Sequence, residues 1–132
     1  MQWLGAQLDE DERIARAAGG IDWLRTERPG ETVAIFDSNG EPVVYDEGWP
    51  SDGQQAHIVA HDPVRVLREI EAKRRIMECH EPWVAGNGDT ICGRCGREHI
   101  DGRPGGHFPC QTLRLLALPY AHRPGYRDEW RP

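Results

Sequence analysis

Cys92-Gly93-Arg94-Cys95-Gly96-Arg97 is the stretch from which the rest of this chain is read. Two cysteines two residues apart place both sulfurs on one side of a tight turn, where they share a metal ion. Gly96 relieves the crowding just after the second thiol. A tetrahedral site needs two more ligands, and Cys110 is the third, standing where a helix begins. Backbone N–H groups at a helix start favour a thiolate. For the fourth position the sequence offers Cys79, His80, His99 and His107. Cys79 and His80 close a long helix, so either pins that helix to the knuckle, whereas His99 and His107 leave it untied. The spacing keeps Cys79 and His80 level, one giving an all-cysteine site and the other three cysteines and a histidine. Either way the ligands are all protein groups. The expected ion is one structural zinc, with no position open for substrate water.

The alternative for a C-x-x-C pair is redox chemistry, which belongs at the start of a helix in a βαβ unit. The glycines and Arg94 around this pair supply no such setting. Two disulfides are a third option for four cysteines. However, Met1-Gln2-Trp3-Leu4-Gly5 has neither a basic segment nor a long apolar run, so a secretory route is not expected. No apolar stretch approaches the roughly 18 residues that cross a bilayer. The expectation is a cytoplasmic protein without membrane contact.

Outward from the knuckle, residues 81–109 are rich in glycine, proline and polar side chains, and a stretch of that kind inside a folded domain needs an organising ion. Upstream lies the clearest element, a helix from Pro63 to about His80. Asp62 is its N-cap and Pro63 its first residue; Val66, Leu67, Ile70, Ala72 and Met77 supply apolar surface. Before it, Ser51-Asp52-Gly53-Gln54 has the form of a capping box and starts a short helix to Ala60. Thr32-Val33-Ala34-Ile35-Phe36 and Pro42-Val43-Val44-Tyr45 read as a hairpin about Asn39-Gly40, whose glycine takes the positive φ of a tight turn. Residues 3–18 read as a helix ended by Gly19-Gly20, with Trp23 in a connecting stretch. After Cys110, Thr112 to Leu118 form a last helix, and a tail follows with Tyr120, Tyr126 and Trp130.

The fold class is therefore α+β, with three to four helices, one hairpin and a zinc-stapled loop lobe. A single domain is expected over 1–132, divided into a body at 1–80, a zinc lobe at 81–110 and a helix with an aromatic tail at 111–132. The expected core is Leu4, Leu8, Trp23, Ile35, Val44, Leu67, Ile70, Met77, Leu113, Leu116, Tyr126 and Trp130.

With 38% apolar residues, ten prolines and fifteen glycines, only a modest core is available, and a metal adds folding energy that burial alone does not supply. The net charge of −6 is unevenly spread: residues 1–62 carry −9 and residues 63–132 carry +3. Helix surfaces facing water account for such a split. Lys73, Arg74, Arg75, Arg94, Arg97 and Arg103 are a candidate basic patch for nucleic-acid phosphates, although glutamates interleave with it. His57 and His61 stand one helical turn apart, but Ile58 occupies the place where a metalloprotease helix needs its glutamate. No catalytic constellation emerges, so an enzyme is not expected.

The segments His57-Ile58-Val59-Ala60-His61-Asp62-Pro63-Val64-Arg65-Val66-Leu67, Glu71-Ala72-Lys73-Arg74, Pro109-Cys110, Leu113-Arg114-Leu115-Leu116-Ala117 and Gly125-Tyr126-Arg127-Asp128-Glu129-Trp130-Arg131-Pro132 resemble a family of small uncharacterised proteins. They are found in actinobacteria, notably Streptomyces, and in actinobacterial phages and prophages. The resemblance implies His80 as the fourth ligand, because members are similar in ending the long helix with histidine there, while the position of Cys79 is commonly aliphatic. It also implies an accessory protein of phage or prophage type. A stapled fold, no catalytic constellation and a split surface charge make the expected function a non-enzymatic interaction protein with a host or viral protein as partner.

Overall fold

A computed structural model describes residues 1–26, 32–48, 50–96 and 106–132, and it is α+β. Among the described residues the chain runs through helix α1 (Gln2–Ala17), strands β1 (Trp23–Arg25), β2 (Val33–Asp37) and β3 (Pro42–Tyr45), then helices α2 (Asp52–Ala60) and α3 (Pro63–Cys79). Strands β4 (Pro82–Val84) and β5 (Thr90–Cys92) and helix α4 (Gln111–Ala117) complete the regular elements, with short 3-10 turns at Asp46–Gly48, Leu118–Tyr120 and Asp128–Trp130. The chain divides into two units, one of Glu10–Ile70 and one of Met1–Asp9 with Glu71–Pro132.

In the unit of residues 10–70, β1, β2 and β3 form an antiparallel sheet in that order. The hairpin turns at Asp37–Gly40, where Asp37 Oδ1 accepts from the backbone N–H groups of Asn39 and Glu41, and Gly40 has φ +85°. Trp23 opens the third strand instead of a connection: Trp23, Leu24 and Arg25 pair with Asp37, Phe36 and Ile35. Val33, Ala34 and Ile35 are buried on β2.

Two caps set the helix starts. Ser51 and Gln54 close a reciprocal capping box at α2, with Gln54 N–H donating to Ser51 Oγ and Ser51 N–H to Gln54 Oε1. At α3, Asp62 Oδ1 accepts from Arg65 N–H at 2.8 Å, and Oδ2 accepts from Trp23 N–H at 3.3 Å. One buried carboxylate therefore caps a helix and holds the start of β1.

In the other unit, β4 and β5 form a second hairpin inside the stretch expected to be loop. Its turn is Asn87-Gly88, with Gly88 at φ +88° and Asp89 N–H donating to Asn87 Oδ1. Pro82 pairs with Cys92, Trp83 with Ile91 and Val84 with Thr90. On the far side of β5, residues 106–108 run alongside: Ile91 bridges His107, Phe108 N–H donates to Thr90 O, and Cys92 N–H donates to Gly106 O. Among the described residues strand β4 is left as the edge. At the N-terminus of the chain, Trp3 Nε1 donates to Pro124 O at 2.9 Å, and its ring meets Tyr126 and Trp130 at centroid distances of 5.8 and 5.4 Å.

Leu4, Leu8, Ile35, Ile70, Leu113 and Trp130 are buried as expected, whereas Trp23, Val44, Leu67, Met77, Leu116 and Tyr126 are only partly covered. The difference is made up by Ala15, Val33, Ala34, Ala117, Tyr120 and the two cysteines Cys92 and Cys110. No described helix is long and apolar enough to cross a membrane.

Candidate metal centre

Three short pieces of backbone deliver sulfur to one point. β5 ends on Cys92, whose sulfur lies 3.5 Å from the backbone nitrogen of Cys95. The turn that follows is closed by Gly96 N–H donating to Cys92 O at 2.7 Å, and Gly93 N–H donates to Glu81 O at 2.8 Å. Gly96 is a steric requirement: a Cβ there would sit 2.6 Å from Ile91 Cδ1 and 2.8 Å from Cys92 O. The strand-like segment 106–108 then carries the chain to Cys110, the N-cap of α4.

The fourth group comes from the end of α3. His80 N–H donates to Met77 O, and its imidazole Nδ1 lies 3.3, 3.6 and 3.4 Å from the sulfurs of Cys92, Cys95 and Cys110. All four donor atoms fall within 4.8 Å of one another. Around a tetrahedral zinc with ordinary Zn–S and Zn–N bonds, a nitrogen–sulfur edge measures about 3.5–3.6 Å. The donor set and its spacing fit one tetrahedral divalent cation.

Burial pushes the Cys95 thiol up, to about 12, with the hydrogen bond to Cys92 and the adjacent Cys110 sulfur adding to it. Burial also acts to raise Cys92, but hydrogen bonds from the backbone N–H groups of Cys95 and Arg94 outweigh it and hold that thiol below its ordinary value. A cation bound between these sulfurs would favour the thiolate form.

Cys92 and Cys110 are also core. With Leu113 they form a buried cluster against which Met1, Met77, Cys95, Phe108 and Leu116 pack. The cysteine–histidine cluster and the apolar interior of this unit are one place.

Of the two candidates at the end of α3, the structure brings His80 to the cluster and leaves Cys79 exposed. Successive helix residues point about 100° apart, so only one of two neighbours can face the knuckle. His107 is exposed and takes no part, and His99 lies outside the described residues. His57 and His61 stack at 4.3 Å on the exposed side of α2, with His61 Nδ1 bonded to His57 O at 2.8 Å. The expected basic patch is largely paired: Arg74 bonds Asp9 at 2.6 Å, Arg75 bonds Glu71, and Lys73 lies over the Tyr120 ring. Arg97 and Arg103 lie outside the described residues.

The fold and site define a small α+β protein with a half-buried cluster of three cysteines and one histidine. The chain belongs to DUF6221, a family of unknown function whose model matches residues 1–132. Neither the curated proteins nor the solved structures contain a match.

Proposed function

We propose that this chain is a zinc-stapled, non-enzymatic interaction protein of the cytoplasm, whose partner is another protein, and that its origin is of phage or prophage type. His80, Cys92, Cys95 and Cys110 hold the single zinc. With four protein ligands the ion has no position for a substrate, so its contribution is folding energy and a fixed knuckle.

The observation that carries the partner reading is the edge strand β4. Trp83 is 46% exposed and Val84 64% exposed on it. Large apolar side chains on an open strand edge are a template for another chain, and soluble proteins ordinarily blunt such edges with charge. Leu115 and Leu118, on and just after α4, are exposed as well.

The test pairs metal analysis with capture. Protein purified without added zinc should carry about one equivalent, the number a four-ligand site holds. A Trp83→Ser, Val84→Thr variant should keep its zinc and its circular dichroism. It should also lose a stoichiometric protein retained by the wild-type chain from an actinobacterial lysate. Equal retention by both forms, or none by either, would remove the partner reading while leaving the zinc assignment to the metal analysis.

A further inference from the structure

Beside the metal cluster, in the same unit, lies a cavity of about 640 Å³ whose wall includes Phe108, Thr112, Arg114, Glu129 and Trp130. That volume suits a small organic molecule or the end of a peptide. Its chemistry is set by Arg114. The side chain is partly buried, and its Nε is fully buried with no hydrogen-bond partner among the described residues. The nearest acid on the wall, Glu129, is engaged with Arg127 at 3.3 Å. The cavity wall therefore combines an arginine, the hydroxyl-bearing Thr112 and the apolar rings of Phe108 and Trp130.

We propose that this cavity binds a carboxylate carried on an apolar body, with Arg114 as the recognising group. Guanidinium and carboxylate are both planar and meet through paired N–H···O bonds, a geometry that a lysine cannot supply. Glu129 makes a singly charged carboxylate the better fit than a dianionic phosphate, because like charge repels in a partly buried wall. Phe108 and Trp130 cover the apolar portion. The inference is independent of the edge-strand reading: the same chemistry is offered by a free aromatic acid or by the C-terminus of a protein ending in an apolar residue. Cys95 and Cys110 also line this cavity, so its shape depends on the intact metal cluster.

The experiment is a titration of 15N-labelled, zinc-loaded protein followed at the Arg114 Nε–H and Trp130 indole signals. The probes are 3-phenylpropionate, its neutral amide and inorganic phosphate at matched ionic strength. The acid should give saturating shifts at both signals, the amide none, and phosphate weaker ones. Arg114→Gln should weaken the acid by about tenfold or more, as expected for loss of a charge-assisted pair. If that variant does not fold, Arg114→Lys should weaken binding and Glu129→Gln should strengthen it. Equal shifts from acid and amide, tighter binding of phosphate, or unchanged affinity in the Arg114 variants would overturn the proposal. A peptide ending in free phenylalanine that binds more tightly than the free acid, with its amidated form silent, would identify a protein C-terminus as the source. Equal affinities would identify a free acid.

Discussion

Gly96→Ala isolates the knuckle from every other feature of the chain. Gly96 is not among the residues with positive φ, so the substitution adds no backbone strain and acts through space alone. The new methyl would stand 2.6 Å from Ile91 Cδ1, which can turn aside, and 2.8 Å from Cys92 O, which is backbone. At the oxygen it is roughly 0.6 Å short of ordinary contact. The turn must open against the 2.7 Å hydrogen bond from Gly96 N–H to that same oxygen. Overpacking of this kind costs about 1–3 kcal/mol. Because Cys92 and Cys95 flank the strained peptides, the cost falls on metal binding and weakens it by about 5- to 150-fold. Competition for zinc against a chromophoric chelator measures it, with Gly93→Ala as the graded control, since its Cβ meets Glu81 O at a milder 3.2 Å. Zinc affinity in Gly96→Ala equal to that of the wild type would refute the reasoning, because the knuckle would then be free to relax or would not hold the ion.

Two further outcomes follow from the described geometry. Cys110→Ser removes a buried ligand that is also core, so both zinc and near-ultraviolet circular dichroism should be lost together, while Cys79→Ser, exposed and outside the cluster, should change neither; elemental analysis of the two variants decides, and zinc loss in Cys79→Ser would reassign the fourth ligand. Asp62→Ala removes the α3 cap and the acceptor for Trp23 N–H, at a cost of about 2 kcal/mol in chemical denaturation; Asp62→Asn should retain most of the stability, and a loss below about 0.5 kcal/mol in the alanine variant would show the cap to be dispensable.

The elements written in local chemistry were the legible ones. Ser51 and Gln54, Asp62 and Pro63, and Asn39-Gly40 each mark a boundary through contacts a few residues long, and the structure places each as expected. Trp23–Arg25 carries too few residues for a period, and its strand character comes from pairing with β2 across the intervening segment. The second hairpin was hidden by its composition, although Asn87-Gly88 is the same signal as Asn39-Gly40. Pro82 and two three-residue strands gave too little alternation to claim it.

At the site, Cys92, Cys95 and Cys110 were readable because sulfur spacing has few other meanings. The choice between Cys79 and His80 was not, because the helix phase at its last turn depends on where the helix ends. Arg114 was invisible for a different reason: in sequence it is one arginine in a Leu-rich helix, and only the folded wall around it shows a donor without an acceptor.

The unit that contains the cluster joins Met1–Asp9 to Glu71–Pro132. Trp3 bonds a carbonyl 121 residues away, so this segment cannot take its final place until Pro124 has been made. The cluster itself cannot close before Cys110 has emerged. Until Cys110 and Pro124 have both been made, the segment around Trp3 lacks its partner and the sulfurs of Cys92 and Cys95 lack theirs, so this unit closes late.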